Sequence, residues 1–304
     1  MVTRMKANYR DLLLTGNEWI DGSDEYGLIL TDDLDSLLSC SILKQVKGWD
    51  VEQVMIFKYD KNQNFDAHGI TKNATHEAIG VDLALTNGKC FDNHLTQFKW
   101  NGTSNPESIN LNRIAGISRD KYYRKYNLST VLLLWSLYDL PKEGLSDELM
   151  MMLIAIDGSF QGYYTEEKYV WIHKHWLVDV LDLPEFYECE KRHTKDEFKE
   201  IQKKYNIHKG YGKITLKNGY LSTDIDIERV NDVLGWDTDI VVELPTDGFK
   251  KKAIYRDCMR SIDDSTRSIS KFSDDVFSYA LTNKYTVNYS ERIEEKCDTQ
   301  KQVA

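Results

Sequence analysis

Residues Gly27 to Ser39, GLILTDDLDSLLS, constrain the fold more than any other stretch of the chain. Leu28-Ile29-Leu30 is an apolar run of strand length. Directly after it, Asp32, Asp33 and Asp35 place three carboxylates within four positions. Leu34, Leu37, Leu38, Ile42 and Leu43 then recur at helical spacing. The pattern predicts a strand, an acidic turn and a helix, with the acids at the carboxyl end of the strand. In an open α/β sheet that edge is where ligands bind. One such carboxylate is accounted for as a helix N-cap that satisfies free backbone N–H groups. Three at one turn repel each other, and a cation relieves that repulsion.

The pattern repeats further on. Val51 to Phe57 is apolar and β-branched enough for a strand buried on both faces. Residues 58 to 78 are polar and read as a loop or short helices, with His68 and His76 solvated. Ile79 to Leu85 is a third strand, and it carries Asp82, a carboxylate that is costly to bury unless paired or metal-bound. A fourth short strand ends in Cys90-Phe91-Asp92-Asn93-His94, where an acid and an imidazole two residues apart can approach one cation. Helices are expected from Ser129 to Tyr138 and from Leu145 to Ile156, the three methionines of the second serving as core filler. Gly158 stops that helix. Asp157 is left in the last turn, where a carboxylate opposes the helix dipole and needs another reason to be present. His173 and His175 read as structural. The alternation predicts an α/β fold, a mainly parallel sheet flanked by helices.

The charged stretch from 185 to 210 marks a boundary between a domain over residues 1–190 and a smaller C-terminal α+β domain over 196–304. The second domain begins with a hairpin that turns at Asn218-Gly219. A second hairpin is expected from Ile240 to Leu244 and Phe249 to Tyr255. Residues 257 to 283 read as helical, and Val287 to Tyr289 as a short strand. This hairpin region is expected to pack as a separate unit facing the acidic edge.

The formal net charge is −10 over 304 residues. That argues against a broad basic face for duplex DNA, while leaving room for a locally basic groove. Lys250, Lys251, Lys252, Arg256, Arg260 and Arg267 are the most basic part of the second half, either a solvated surface or a phosphate-neutralising one. The five cysteines are scattered and form no CxxC, as in a reduced intracellular protein. No signal-peptide core is evident, and the longest apolar run, Leu149 to Ile156, is too short to cross a bilayer. A cytoplasmic protein without membrane partners is expected.

Taken together, the acids fall into a known order. Asp33 and Asp35 form DxD after the first strand, and Asp82 lies alone in a later one. Asp92, Asn93, His94 and Thr96 end the next strand, and Asp157 follows a helix in IDGSF. Over residues 27 to 160 this resembles the DHH phosphoesterase superfamily, which includes RecJ-type nucleases, nanoRNases, cyclic-dinucleotide phosphodiesterases and family II pyrophosphatases. The resemblance implies two Mn²⁺ or Mg²⁺ ions bound by Asp33, Asp35, Asp82 and Asp157, with Asp82 bridging them. It places Asp92 and His94 in the catalytic motif, with His94 near the scissile phosphate. Hard carboxylate oxygens suit those ions, and two adjacent cations clamp the oxygens of an in-line displacement at phosphorus.

The chain departs from the family pattern in three places. The histidine that usually precedes DxD is absent, and Asp32 is there as an oxygen ligand in its stead. Asn93 replaces the first histidine of DHH and offers a carbonyl oxygen. The glycine-rich GGGH of the family's C-terminal partner is missing, and the nearest stretch is Lys209-Gly210-Tyr211-Gly212-Lys213. The implied function is hydrolysis of a phosphodiester in a nucleotide or short single-stranded nucleic acid, either an oligonucleotide or a cyclic dinucleotide. The alternative is a DHH-like protein that has lost catalysis and binds a nucleotide or a protein partner. A homodimer is compatible with both. A structural Ca²⁺ at the acids is a third reading.

Overall fold

The structure is a computed structural model that describes residues 5–57, 64–70 and 75–293. Its strands are β1 (Tyr26–Leu30), β2 (Val51–Met55), β3 (Asn64–Ile70), β4 (Glu77–Val81), β5 (Cys90–Phe91), β6 (Ser108–Ile109), β7 (Ile214–Lys217), β8 (Tyr220–Thr223), β9 (Phe249–Ser261), β10 (Val276–Asn283) and β11 (Thr286–Ile293). The α-helices are α1 (Ala7–Leu14), α2 (Leu34–Lys47), α3 (Leu111–Ile114), α4 (Thr130–Leu137), α5 (Asp147–Ala155), α6 (Phe160–Tyr163), α7 (Glu167–Lys174), α8 (Pro184–Arg192), α9 (Lys195–Lys204) and α10 (Ile227–Asp237).

Strands β2, β1, β4, β5 and β6 lie side by side and run parallel. The chain leaves β1 for β2 on one side and then crosses to β4 on the other. The strand order therefore reverses at β1, and the crevice above the carboxyl ends of β1 and β4 is the switch point where such sheets bind ligands. The acidic turn after β1 and Asp82 after β4 meet there. This part of the molecule is the parallel α/β sheet with flanking helices that the sequence predicts.

Alternation along β1 divides its side chains between two cores. Leu28 and Leu30 face the main core, which is roofed by helices, and Ile29 faces a smaller cluster with Met55, Leu83, Leu85, Cys90 and Tyr255. Every residue of α4 is buried, as its uniformly apolar TVLLLWSL requires. It packs against α2 and α5. Ser129 caps α4 by accepting the Leu132 N–H at 3.2 Å, and Gly48 ends α2 in a left-handed turn.

The C-terminal region carries the antiparallel hairpins that the sequence predicts, with β7 and β8 joined at Asn218-Gly219, but its larger part does not stand apart from the first sheet. Strands β9, β11 and β10 are antiparallel, and β3 joins them to β2 within one nine-stranded sheet. The expected separate packing unit is thus corrected to a continuation of the first sheet; among the described residues only the β7–β8 hairpin forms a sheet of its own. Within residues 257–283, read as helical, a single short helical turn, Ile269–Lys271, separates 257–261, which extend β9, from 276–283, which form β10. Each of these segments finds a hydrogen-bonding strand beside it, and that long-range pairing outweighs their polar local pattern. Residues 64–70, read as loop, form β3 for the same reason; 58–63 and 71–74 lie outside the described residues. Ile240 to Leu244 is not a strand.

The antiparallel arm curls back onto the parallel edge. Thr86 N–H donates to the Phe277 carbonyl at 2.8 Å, Tyr279 N–H to Ala84 at 3.1 Å, and Leu281 N–H to Leu95 at 2.8 Å. Tyr255 and Phe277 from the arm complete the small cluster around Ile29. Helices therefore cover one face of the parallel strands, and the arm covers the other. Among the described residues no helix is long and apolar enough to cross a membrane. Cys40, Cys90, Cys189 and Cys258 are buried free thiols, and Cys297 lies outside the described residues.

This shared sheet and shared core predict one cooperative unfolding event. Calorimetry should give a single transition with equal calorimetric and van't Hoff enthalpies. A fragment of residues 1–190 should fail to fold, because Ile29, Met55 and Leu83 lose their cover. Two resolved transitions, or a folded fragment by near-ultraviolet circular dichroism, would contradict the continuous sheet.

Candidate metal centre

The acids expected from the sequence do meet at one edge of the sheet. Asp33 is the N-cap of α2, with Oδ1 3.5 Å from the Ser36 nitrogen. Ser36 Oγ donates to the Val81 carbonyl and accepts the Thr31 N–H, both at 2.9 Å, which ties the turn after β1 to the end of β4. Asp35, in the first turn of α2, reaches across to α4. Its two oxygens accept the N–H groups of Thr130 and Val131 at 2.8 Å each. Thr130 Oγ1 in turn donates to Asp82 Oδ1 at 3.0 Å. A single residue at the start of α4 therefore touches two of the acids.

Asp82 and Asp157 have φ values of +53° and +63°. This left-handed region is uncommon outside glycine, and aspartate is among the side chains that tolerate it. In both cases the bend ends an element, β4 or α5, and turns the carboxylate toward the same crevice. Asp92 is fully buried and accepts from Asn110 Nδ2 at 2.7 Å; its other oxygen lies 2.7 Å from His94 Nδ1. Asp82 Oδ1 is 4.0 Å from the same ring nitrogen.

Asn93 behaves differently from the oxygen ligand predicted for it. Its Nδ2 donates to Asp157 Oδ2 at 2.9 Å and to the Leu128 carbonyl at 3.0 Å, and lies 3.4 Å from Asp35 Oδ2. The amide turns its nitrogen to the acids because two carboxylates and a carbonyl surround it, and only a donor satisfies them.

Burial, followed by the charges of Asp82, Asp157 and Asp33, pushes the Asp35 carboxyl well above the usual range. Burial also pushes Asp82 well up, opposed by His94 and helped by the other acids, while Asp157, which is exposed at the mouth of the crevice, is raised by the partial desolvation of its carboxyl and then by Asp33. Burial opposes a charged His94, but Asp92 and then Asp82 overcome it and lift the imidazole to about 10. The two carboxylates thus favour the charged form of His94, with Nδ1 on Asp92.

Oxygens of Asp35, Asp82 and Asp157 all lie within 4.8 Å of one another, and so do ligand atoms of Asp82, Asp92 and His94. Asp82 belongs to both groups. Two unit charges about 4 Å apart repel by roughly 4 kcal/mol at an effective dielectric near 20. A hydrogen bond returns only about 1 kcal/mol. Three ionised carboxylates at this spacing therefore need protons or a cation, and their hard oxygens suit Mg²⁺ or Mn²⁺. A further group, Asp147, Cys189 and His193, lies elsewhere; there Arg192 and His193 already pair with Asp147.

Asp32 and Asp33 face a different partner, Lys213, whose Nζ is 3.4 Å from Asp32 Oδ1 and 3.2 Å from Asp33 Oδ2. Beside the acids a cleft of about 190 Å³ is walled by Asp32, Asp82 and His94 on one side. Asp257, Ser278, Asn288 and Ser290 of the antiparallel arm stand on the other. The predicted phosphate-binding run lines no part of it. Lys250, Lys251 and Lys252 are exposed on β9, and Arg256 pairs with Glu291 at 3.2 Å.

Sequence reasoning missed Thr130, Asn110, Asp257 and Lys213. Lys213 had a local signal. It follows Gly210 and Gly212, both with positive φ, in a stretch that leads straight into a strand. The other three reach the site through tertiary contacts alone.

The raised carboxylates fix the sign of a pH effect. The folded protein holds protons on these interacting acids, above all on buried Asp35 and Asp82, to higher pH than the unfolded chain, which releases them at about pH 4. Their contribution to metal-free stability is therefore greatest in acid and is lost as pH rises toward neutrality. Asp157→Asn keeps the left-handed turn and removes one charge. Chemical denaturation should show this variant gaining on the metal-free wild type as pH rises, while binding Mn²⁺ more weakly. A gain that shrinks with rising pH would contradict the repulsion. In comparisons with known proteins, no family model, curated protein or solved structure matches this chain, so what the site does has to be read from its own geometry.

Proposed function

We propose that this chain is a divalent-cation-dependent phosphoesterase of the DHH type. It hydrolyses a phosphodiester in a nucleotidic substrate, a short oligonucleotide or a cyclic dinucleotide, in the cytoplasm. The observation that carries this reading is the meeting of Asp35, Asp82 and Asp157 within 4.8 Å at the switch point of a parallel sheet. Carboxylates gathered there without a cation raise the energy of the fold, and a bound Mg²⁺ or Mn²⁺ removes that cost.

Asp35, Asp82 and Asp157 would hold the ion, which when bound supplies Lewis acidity toward a phosphoryl oxygen and a lower pKa for water. The remaining work falls to the chain's own groups. Thr130 fixes Asp82 through its hydroxyl, and α4 fixes Asp35 through two N–H groups. Asp92 holds His94 by Nδ1, which leaves Nε2–H of the imidazolium to protonate a leaving alkoxide. The cleft admits one phosphate with its adjoining sugar or base, so a longer substrate extends out of it. The arm-side wall of Ser278, Asn288, Ser290 and Asp257 suits neutral and donor-bearing parts of a nucleoside better than a second phosphate.

One observation favours the alternative of a binding protein without catalysis. The Asn93 amide and the Lys213 ammonium already engage four of the acids. A site satisfied in this way binds a nucleotide or a protein partner without needing an ion.

Turnover separates the two. Mn²⁺ or Mg²⁺ should raise hydrolysis of short oligonucleotides or cyclic dinucleotides, and Asp82→Ala should abolish it. His94→Ala should lower kcat by about 10²–10⁴-fold, the usual worth of a general acid, with little change in Mn²⁺ affinity. Nucleotide binding with no product under any divalent ion would establish the binding protein instead.

A further inference from the structure

The acids after β1 already hold a cation supplied by the protein. The Lys213 ammonium lies between Asp32 and Asp33, at 3.4 and 3.2 Å from their oxygens. Those are ion-pair distances; oxygens around Mg²⁺ or Ca²⁺ stand at about 2.0–2.6 Å. The lysine is held in place from several directions. Its N–H donates to Asp224 Oδ1 at 3.0 Å, and its carbonyl accepts from Thr223 Oγ1 at 3.0 Å. The N–H of the next residue, Ile214, donates to the Asp32 carbonyl at 2.8 Å. Gly212 precedes it at φ +71°, where a Cβ would stand 2.9 Å from the Asn206 oxygen and the Ile207 Cα. Only glycine lets the loop close this tightly and present the next side chain to the acids.

The remaining acids divide in the same manner. Asp35, Asp82 and Asp157 form one all-carboxylate group that excludes Asp32 and Asp33. The group with Asp92 is already engaged by His94 Nδ1 at 2.7 Å. Among the described residues there are thus three places for positive charge around the crevice, and side chains of the chain fill two of them.

We propose that Lys213 is a built-in replacement for a second divalent ion, so that the centre binds one such ion at Asp35, Asp82 and Asp157. The proposal rests on reading these acids as a cation-binding centre. It differs from the two-ion centre implied by the family resemblance, and it gives Asp32 a role as counter-ion to a lysine. An ammonium has three N–H donors. Those that reach Asp32 and Asp33 neutralise the two carboxylates without a second ion.

The test is Mn²⁺ binding to the full chain, counted by free-ion electron paramagnetic resonance during titration and by native mass spectrometry. Wild type, Lys213→Met and Lys213→Arg are compared. Wild type and Lys213→Arg should bind one ion, and Lys213→Met should bind a second. The second ion should appear with the spin coupling of two Mn²⁺ roughly 4 Å apart. Lys213→Gln serves the same purpose if the methionine variant does not unfold cooperatively. An equal count in wild type and the uncharged variants overturns the proposal, as does a second ion in Lys213→Arg. A wild type that binds no ion and hydrolyses nothing would remove the phosphoesterase reading separately. The gain of one ion on losing the lysine would still decide the role of Lys213.

Discussion

The carboxylate of Asp35 is 1% exposed and is held by the first two N–H groups of α4. Much of the site depends on that contact. An anion at a helix N-terminus is favoured by the unpaired N–H groups and by the helix dipole. Here it also joins the helix after β1 to a helix far along the chain. With α4 fixed, Thr130 reaches Asp82, and Leu128 just before it receives the Asn93 amide. The main core and the acidic crevice therefore share a wall, and α4 is buried on all sides behind it. A carboxyl group buried this completely is tolerable only because both of its oxygens are occupied.

The parallel half was legible in the sequence because its signals are local. The run of Leu28 to Leu30, the acids after it and the leucines of α2 all lie within one short segment, and α4 and α5 announce themselves by apolar content and serine caps. The acids themselves were legible for the same reason. What each acid does was less so. The cap role of Asp33 was among the readings its position allowed, whereas the pairing of Asp32 with a lysine and the turning of the Asn93 amide nitrogen toward the acids were not. Those roles depend on which groups arrive from elsewhere in the chain.

The antiparallel arm was misread over much of its length. Ser278 and Ser290 are buried and face one another across β10 and β11. Polar residues of this kind, inside a strand, erase the alternation by which strands are recognised. β3 had no signal strong enough to stand alone; its identity comes from having β2 on one side and β9 on the other. Local pattern reports what a segment prefers, and sheet membership is decided by what lies next to it.

The position of β3 also bears on how the chain is assembled. Asn64 pairs with Arg256 and Ile70 with Phe249, so this seam closes between segments separated by most of the chain. Contacts of such long range are slow to form, because the loop between them must be ordered first. During synthesis from the N-terminus, the parallel strands and their acids emerge long before the strands that cover them. The crevice is thus the last part of the molecule to be completed. Until β9 to β11 arrive, a nascent chain carries its cluster of carboxylates, the edge of β3 and the apolar patch around Ile29 open to solvent. The divalent ions of the cell thus have access to the acids before the arm narrows the way in.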